Sequence, residues 1–474
     1  PANIFFGTGI PTIIMVLRQR RENTDVLIID ASKGFIKEGK NNKLRASDIK
    51  RIADTFIKRE SVAKFSRVVS REEIRSNDYN LNIPRYVDSS EAAEHWDVYA
   101  SMFGGIPTAE IDEMSEFWTA FPALKKALFT ESGIPYVNVS TPDIKSAIKS
   151  HPDVVGFEKT FNAAFSTFPA FLKEELIDRM GSIEISKAET VLSADIFERL
   201  KDIPLIDKYA AFQLLDDDWT GISIDLEMLQ TEGFAATKKV DPNLVIKKKD
   251  GKDQEVQEGW VGHIIPFDLV QATLLSAETD ELHGLESRLA EIPSEYESIL
   301  DEMTEEDKES CNDVLTDEGD AFVPKEVSKK IKELKKDRSP ESVALRTLLE
   351  KVESLVKSEK EIKAEIKAKG AALQAKTKDT IESLSDEQAL DLLKKKWIAP
   401  LIESIHKLPD TVIDSLVSKI QALQNKYATT FFEVEQQISE TEATLSGMID
   451  DLEGNEYDML GLNELKKLLG GSAE

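Results

Sequence analysis

Cysteine is almost missing from these 474 residues: Cys311 stands alone. An internal disulfide is therefore excluded, and a reducing cytoplasm is the expected setting. No apolar run is long enough to span a membrane. Pro1-Ala2-Asn3 has neither a basic start nor a small-residue cleavage site, so no signal peptide is expected. Histidine is scarce, and His95, His151, His263, His283 and His406 show no zinc spacing. Most of them should be surface or packing residues. No Walker loop, nucleophile elbow or helicase motif occurs. A positive balance is absent too: a net charge of −28 argues against a chain that coats nucleic acid over its whole surface.

What is present is unevenly spread. The 41% apolar content supports real cores, and the length suits roughly two to four domains. Residues 1–90 hold 17 Lys+Arg against 11 Asp+Glu, a net of +6, so the remaining 384 residues carry −34. The split suggests a polyanion-facing first segment joined to a solvated or protein-binding remainder. The run Thr12–Leu17 is continuously apolar and β-branched, which suits a strand buried on both faces, and Asp25–Asp30 predicts a second strand. Two strands cannot make such a sheet alone, so the chain is expected to begin inside a domain. Ser47 is placed to cap a helix with Ile49, Ile52, Phe56 and Ile57 at helical spacing, and Ser70 with Glu73 predicts a short helix.

Further along, Ile111, Met114, Trp118 and Phe121 share a helical face, and Thr141-Pro142-Asp143 opens another helix. Leu244–Ile246, the Asp250-Gly251 pair and Trp260-Val261 predict a β-hairpin. From residue 276 the pattern is helical and acidic. Leu285, Leu289, Ile292, Tyr296, Ile299 and Met303 form one seam, in which Pro293 should kink or interrupt the helix. Ser339-Pro340 opens a second, with Leu345, Leu348, Val352, Leu355, Ile362, Ile366 and Leu373, and Ser385 with Gln388 caps a third helix. The longest seam runs Ile413, Leu416, Ile420, Leu423, Tyr427, Val434, Ile438, Leu445, Met448 and Leu452. One stripe on such a rod needs a partner, either the 340–379 helix folding back or another subunit.

Several motifs have a chemical and a plain reading. Phe5-Phe6-Gly7-Thr8-Gly9 matches F-x-G-x-G, which binds S-adenosylmethionine between a strand and a helix. Here it leads into a β-branched run, so a glycine-dependent turn at a cleft edge is the plainer reading of Gly7, Thr8 and Gly9. An adenine amino-methyltransferase uses an Asp/Asn-Pro-Pro-aromatic turn, with the ring stacked on a flipped base. None of the 17 prolines is adjacent to another, so that turn is absent. Asp216-Asp217-Asp218 reads as a solvated acidic turn rather than a metal site. Lys33, Lys37, Lys40, Lys43 and Arg45 form a basic loop suited to DNA phosphates, or to plain solvent exposure. Asn77–Tyr86 is polar and turn-rich; Asn80 and Arg85 could touch a base or phosphate, or the segment could simply close the domain.

Pro1–Leu17, Val26–Lys33 and above all Asn77–Val87 (NDYNLNIPRYV) resemble the end of the methyltransferase domain in modification (M) subunits of type I restriction enzymes. Gly105-Ile106-Pro107, Phe117-Trp118, Phe121–Lys125, Pro266–Val270 and the tail from Trp397 to Gly471 extend the resemblance, with weaker matching at 140–200 and 300–340. The resemblance implies a subunit of a DNA adenine-N6 methyltransferase that uses S-adenosylmethionine and assembles with a specificity subunit, a restriction subunit and double-stranded DNA. It implies that the cofactor and catalytic motifs lie upstream of this segment, so no catalytic, cofactor-binding or metal residue is expected here and whether the chain is an enzyme by itself stays open. The expected fold is mainly α with an α/β N-terminal segment. Residues 1–90 would be the terminal strands and edge of a Rossmann-like methyltransferase sheet. Residues 91–275 would be mixed with a hairpin, and residues 276–474 a long-helix, coiled-coil-like assembly domain. Leu416, Ile420, Leu423, Tyr427, Val434 and Ile438 are the candidate subunit-docking residues. A non-catalytic helical scaffold of a DNA-processing complex is the competing reading.

Overall fold

The computed structural model describes all residues except 6, 8, 91–93, 132–134, 250–251, 317–318, 338 and 470–474. In chain order its elements begin β1 (Val26–Ile29), β2 (Ile36–Glu38), β3 (Asn41–Lys43), α1 (Ala46–Lys58), β4 (Ser66–Val69) and α2 (Arg71–Ser76). There follow α3 (Val98–Phe103), β5 (Ile106–Pro107), α4 (Thr108–Asp112), α5 (Ser115–Ala120), α6 (Leu124–Leu128), β6 (Phe129–Glu131), β7 (Tyr136–Val139), α7 (Ile144–Lys149), α8 (Pro152–Phe165), α9 (Phe168–Leu172), α10 (Ile185–Leu200) and α11 (Lys208–Glu232). Next come β8 (Val240–Lys249), β9 (Lys252–Gly262), α12 (Phe267–Leu274), α13 (Ser276–Glu302), α14 (Glu305–Ser310), α15 (Pro324–Leu334) and α16 (Pro340–Glu382). The last are α17 (Asp386–Trp397), α18 (Ala399–His406), α19 (Leu408–Lys426), α20 (Phe431–Asp450) and α21 (Glu456–Leu469). The mainly helical expectation holds. The chain divides into one unit of Pro1–Leu172, Glu184–Thr220 and Pro400–Glu474, and another of Lys173–Ile183 and Gly221–Ala399.

In the first unit, β1 pairs antiparallel with β4, and Ile28, Val69, Ile74, Tyr86 and Val87 form a small core over the pair. Every strand pairing among the described residues is antiparallel, and these strands by themselves form only two- and three-stranded sheets, not the Rossmann-like sheet whose terminal strands were expected in residues 1–90. The strand anticipated at Thr12–Leu17 is also corrected. That run has no regular secondary structure and no ladder partner among the described residues, with Ile14 88% and Leu17 86% exposed. A strand exists through its ladder, and nothing here hydrogen-bonds to this one. Helix α1 begins at Arg45, not Ser47, because the Asp48 carboxylate reaches back to the Arg45 N–H at 3.0 Å. Ser47 is buried in the first turn and donates its N–H to Gln213 Oε1 at 3.0 Å. The apolar stripe of α1 is largely uncovered, with Ile49 and Ile57 exposed. Ser70 caps α2 as expected, accepting from the Glu73 N–H.

The rest of this unit packs around aromatics. Phe121 meets Phe157 edge-on, and Phe161, Phe165 and Phe168 continue the contact. On the expected face Ile111, Met114 and Phe121 are buried and Trp118 half-buried, but the helix is broken into α4 and α5. Asp143, rather than Pro142, makes the first-turn contact of α7, accepting from the Ser146 N–H at 3.0 Å. Helix α19 lies along α7, held by Lys145–Asp414 at 2.7 Å and Lys149–Asp410 at 2.6 Å. This corrects two expectations. Leu416, Ile420 and Tyr427 are core residues, buried by their own unit, and not a docking surface. The long seam is also broken: α19 ends at Lys426, and Thr430 opens α20 by accepting from the Glu433 N–H while Glu433 accepts from the Thr430 N–H. Leu423 is half-buried, whereas Val434 and Ile438 remain exposed on α20. The Asp216–Asp218 trio is helical rather than a turn. Ala211, Leu215, Trp219 and Ile222 bury one side of α11 and carry the acids along.

In the second unit the partner of α16 is α13. Glu278 meets Lys376, Glu281 meets Lys369, Glu359 accepts from Tyr296 at 3.1 Å and Glu302 meets Lys351 at 3.4 Å. Rising numbers on one helix against falling numbers on the other make the pair antiparallel. The 340–379 helix thus has its partner within its own unit. Pro293 lies inside α13 without interrupting it. Beneath the pair, Cys311, Val314, Val327, Ile331, Leu345, Leu349 and Val352 form a core. Burial pushes the Cys311 thiol up. The hairpin β8–β9 forms as expected, although its Asp250-Gly251 turn lies outside the described residues.

Candidate nucleic-acid interface

The basic loop of residues 33–45 is a β-hairpin followed by a helix cap. β2 and β3 pair through Ile36–Lys43, Lys37–Asn42 and Glu38–Asn41, leaving Gly39-Lys40 as the two-residue turn. Gly39 takes φ +61 at the first turn position, as a type II′ hairpin requires and as side chains resist. The lysines separate by partner. Lys43 lies 3.3 Å from Glu38, and Arg45 grips Asp48 at 2.9 and 3.0 Å. Burial opposes ionisation of Asp48, but the bonds from Arg45 outweigh it and hold its carboxyl below the usual range. Lys33, Lys37 and Lys40 are exposed and make no ion pair among the described residues. They are the cations of this loop left to meet an anion.

Two anchors hold the hairpin in place. Gly34 runs so close to α1 that a Cβ there would stand 2.8 Å from Asp48 Oδ1. Asp30, at the end of β1, accepts from Ser32 N–H at 2.9 Å and from Ser89 Oγ at 2.5 Å. Burial works against its charge, yet these hydrogen bonds prevail and lower its pKa. Asp30 thereby ties the Lys33 loop to the chain that leaves the Asn77–Tyr86 turn. A third contact brings in the first residues, since Asn42 donates to Ala2 and Asn3 carbonyls at 2.8 and 3.0 Å. Nothing in the residue pattern announced Asn42 or Asp30 in these roles.

The remaining candidates have mixed fates. Gly7 takes φ +80, which favours glycine, and Gly9 lies against Asn3; Thr8 and Phe6 lie outside the described residues. Asn80 spends its polar atoms locally: its carbonyl accepts from Tyr86 Oη at 2.5 Å and its side chain from Asn82 N–H at 2.9 Å. Arg85 is exposed and reaches Asn77 Oδ1 at 3.3 Å. Asp78 and Tyr79 both adopt left-handed backbone, at φ 54 and 57. The segment thus closes the small core, while Tyr79 and Arg85 still face outward. No group of His, Cys, Asp and Glu able to hold a metal occurs among the described residues. No helix among them is long and apolar enough to cross a membrane.

Residues 1–95 match the N-6 DNA Methylase family. The type I restriction enzyme MpnII methylase subunit of Mycoplasma pneumoniae is 37% identical over 99 residues, which are 21% of this chain and 18% of that protein. The MjaVII methylase subunit of Methanocaldococcus jannaschii is 36% identical over 104 residues, again 21% and 18%. A solved type I restriction-modification methyltransferase subunit from Streptococcus thermophilus is 50% identical over 19% of each chain, with a TM-score of 0.19. The chain thus spans about a fifth of the length of these curated relatives. What these matches show is a similarity, over about a fifth of the chain, to methylase subunits of type I restriction enzymes.

Proposed function

We propose that this chain is the C-terminal portion of a type I modification subunit. In this reading residues 1–90 form the DNA-side edge of the catalytic domain, and residues 91–474 supply helices for assembly with a specificity subunit. The observation that carries it is the family match over residues 1–95, falling on the stretch whose charge is +6 in a chain of −28. The complete subunit would transfer methyl from S-adenosylmethionine to adenine N6 in DNA, inside a complex that a restriction subunit can join.

The residues present do not fit the cofactor. Phe5 and Ile10 are exposed, the Gly7 turn is open to solvent, and the cleft of about 520 Å³ in this unit is lined by Tyr99, Phe103, Tyr136 and Glu433 instead. The sequence also has no Asn-Pro-Pro-aromatic turn. No chemical step is therefore assigned to this chain alone. Its own contribution is positional: exposed Lys33, Lys37 and Lys40 for phosphates, and exposed Val434 and Ile438 for a partner.

Co-expression with a methylase half carrying the cofactor motifs, plus a specificity subunit, tests the reading. The three should co-purify, and calorimetry should show S-adenosylmethionine binding by the complex but not by this chain. Binding by this chain alone, or failure to associate with either partner, sinks the proposal. The second outcome favours a free-standing helical scaffold.

A further inference from the structure

The strongest unabsorbed feature is a basic face in the acidic part of the chain. Residues 325–338 hold seven Lys+Arg against three Asp+Glu. Most of them stand on α15. Its inner side is apolar, with Val327 and Ile331 buried in the second unit's core and Leu334 packed against it. On the outer side Lys325, Lys329 and Lys332 recur at intervals of four and three, one face of a helix, and Lys336 follows in the turn after it. All four are exposed, as is Lys335 beside them.

Density and pairing together mark this face. Elsewhere in the unit Lys351, Lys363, Lys376 and Lys396 are tied to carboxylates, and lysines without an ion pair among the described residues, such as Lys248 and Lys394, stand apart from one another in the sequence. On α15, Lys329 is met by Glu326 at 2.8 Å and Lys330 by Asp313 at 3.1 Å. Lys325, Lys332, Lys335 and Lys336 make no ion pair among the described residues. Four unneutralised cations thus cluster on α15 and the turn that follows it, in a chain with an excess of acids. From Lys325 to the helix end at Leu334 the stripe runs about 14 Å at ~1.5 Å per residue, and Lys335 and Lys336 come just after. That exceeds the ~12 Å width of a DNA major groove, so its two ends can reach phosphates on both sides of one groove.

We propose that the outer lysine face of α15 binds the phosphate backbone of double-stranded DNA, without reading its sequence. The choice of DNA rests on the methylase reading above; the site does not overlap the hairpin of residues 36–43. Lysine ammonium groups on a rigid helix would displace condensed counterions, giving a salt-dependent, sequence-independent affinity.

The test uses the full chain and a 30-base-pair duplex of arbitrary sequence, followed by fluorescence anisotropy across a salt series. The variant K325Q/K332Q/K335Q/K336Q changes exposed positions only and keeps helix-forming side chains. It should bind at least tenfold more weakly at low salt. The slope of log affinity against log salt should fall by about 3 to 4, near 0.9 per lost phosphate contact. Thermal melting should be unchanged. A K33Q/K37Q/K40Q variant reports the hairpin separately. Wild-type affinity in the α15 variant with weakened hairpin binding overturns this inference and leaves the methylase reading intact. A weakened α15 variant beside an unaffected hairpin variant supports the inference and removes the hairpin contact. Absence of duplex binding by the wild type, or preference for phosphatidylserine vesicles over the duplex, also overturns it.

Discussion

Asp225 is 5% exposed, yet its Oδ2 accepts from Trp397 Nε1 at 2.7 Å and from Lys396 Nζ at 2.5 Å, and Lys396 also donates to the Ile264 carbonyl. A carboxyl taken this far from water is held by the partners on its Oδ2. Removing it strands a lysine and an indole N–H. Asp225→Ala should therefore cost about 3–5 kcal/mol in urea unfolding, and Asp225→Asn less. His263 offers a pH signature. Its Nδ1 lies 2.6 Å from Asp241 and its Nε2 3.1 Å from Glu232. The Asp241 bond raises its pKa above 6.5; burial opposes the rise and Glu232 adds to it. Folding thus favours the protonated ring. That stability is complete below the unfolded pKa and is lost as pH rises through the higher folded one. Melting temperature should fall from about pH 6 to about pH 8, and His263→Gln should flatten that fall. Neither residue was legible beforehand: an isolated acid in a helix and a scattered histidine look alike whether buried or solvated.

Helix ends were the most legible elements wherever a side chain and a backbone group lie three residues apart. Ser70, Ser339 and Ser385 each cap as their spacing predicts. Thr430 with Glu433 carries the same signal, overlooked because an unbroken apolar seam argued for one long helix. Thr430→Ala should cost about 0.5–2 kcal/mol and speed amide exchange at residues 431–434. Seams were legible as seams, but not by partner, since a stripe records that something covers it and not what. The stripe on α16 found α13, and the first half of the 413–452 stripe found α7. Burial now separates positions that the pattern treated alike. Leu345→Ala, at 6% exposure, should lose about 2–5 kcal/mol, while Val434→Ala, at 38%, should lose under about 1 kcal/mol in the same denaturation assay.

For the whole molecule, the division between a basic start and an acidic remainder was readable from composition, but the lysine face of α15 shows that averaging over hundreds of residues hides a local reversal of sign. The strand at Thr12–Leu17 failed because composition specifies a preference, whereas a ladder needs a neighbour. With Ile13, Ile14 and Leu17 exposed, this run should drive self-association. Ile14→Lys with Leu17→Lys should lower light scattering of concentrated protein without shifting its melting temperature. The solitary cysteine has a use of its own. Cys311 is 0% exposed within the second unit's core, and no second thiol competes with it. Its labelling by a disulfide dye should be negligible in the resting protein and should proceed only while that core breathes. The colour change would then clock the opening of one unit alone, a stopwatch already wired into the polypeptide.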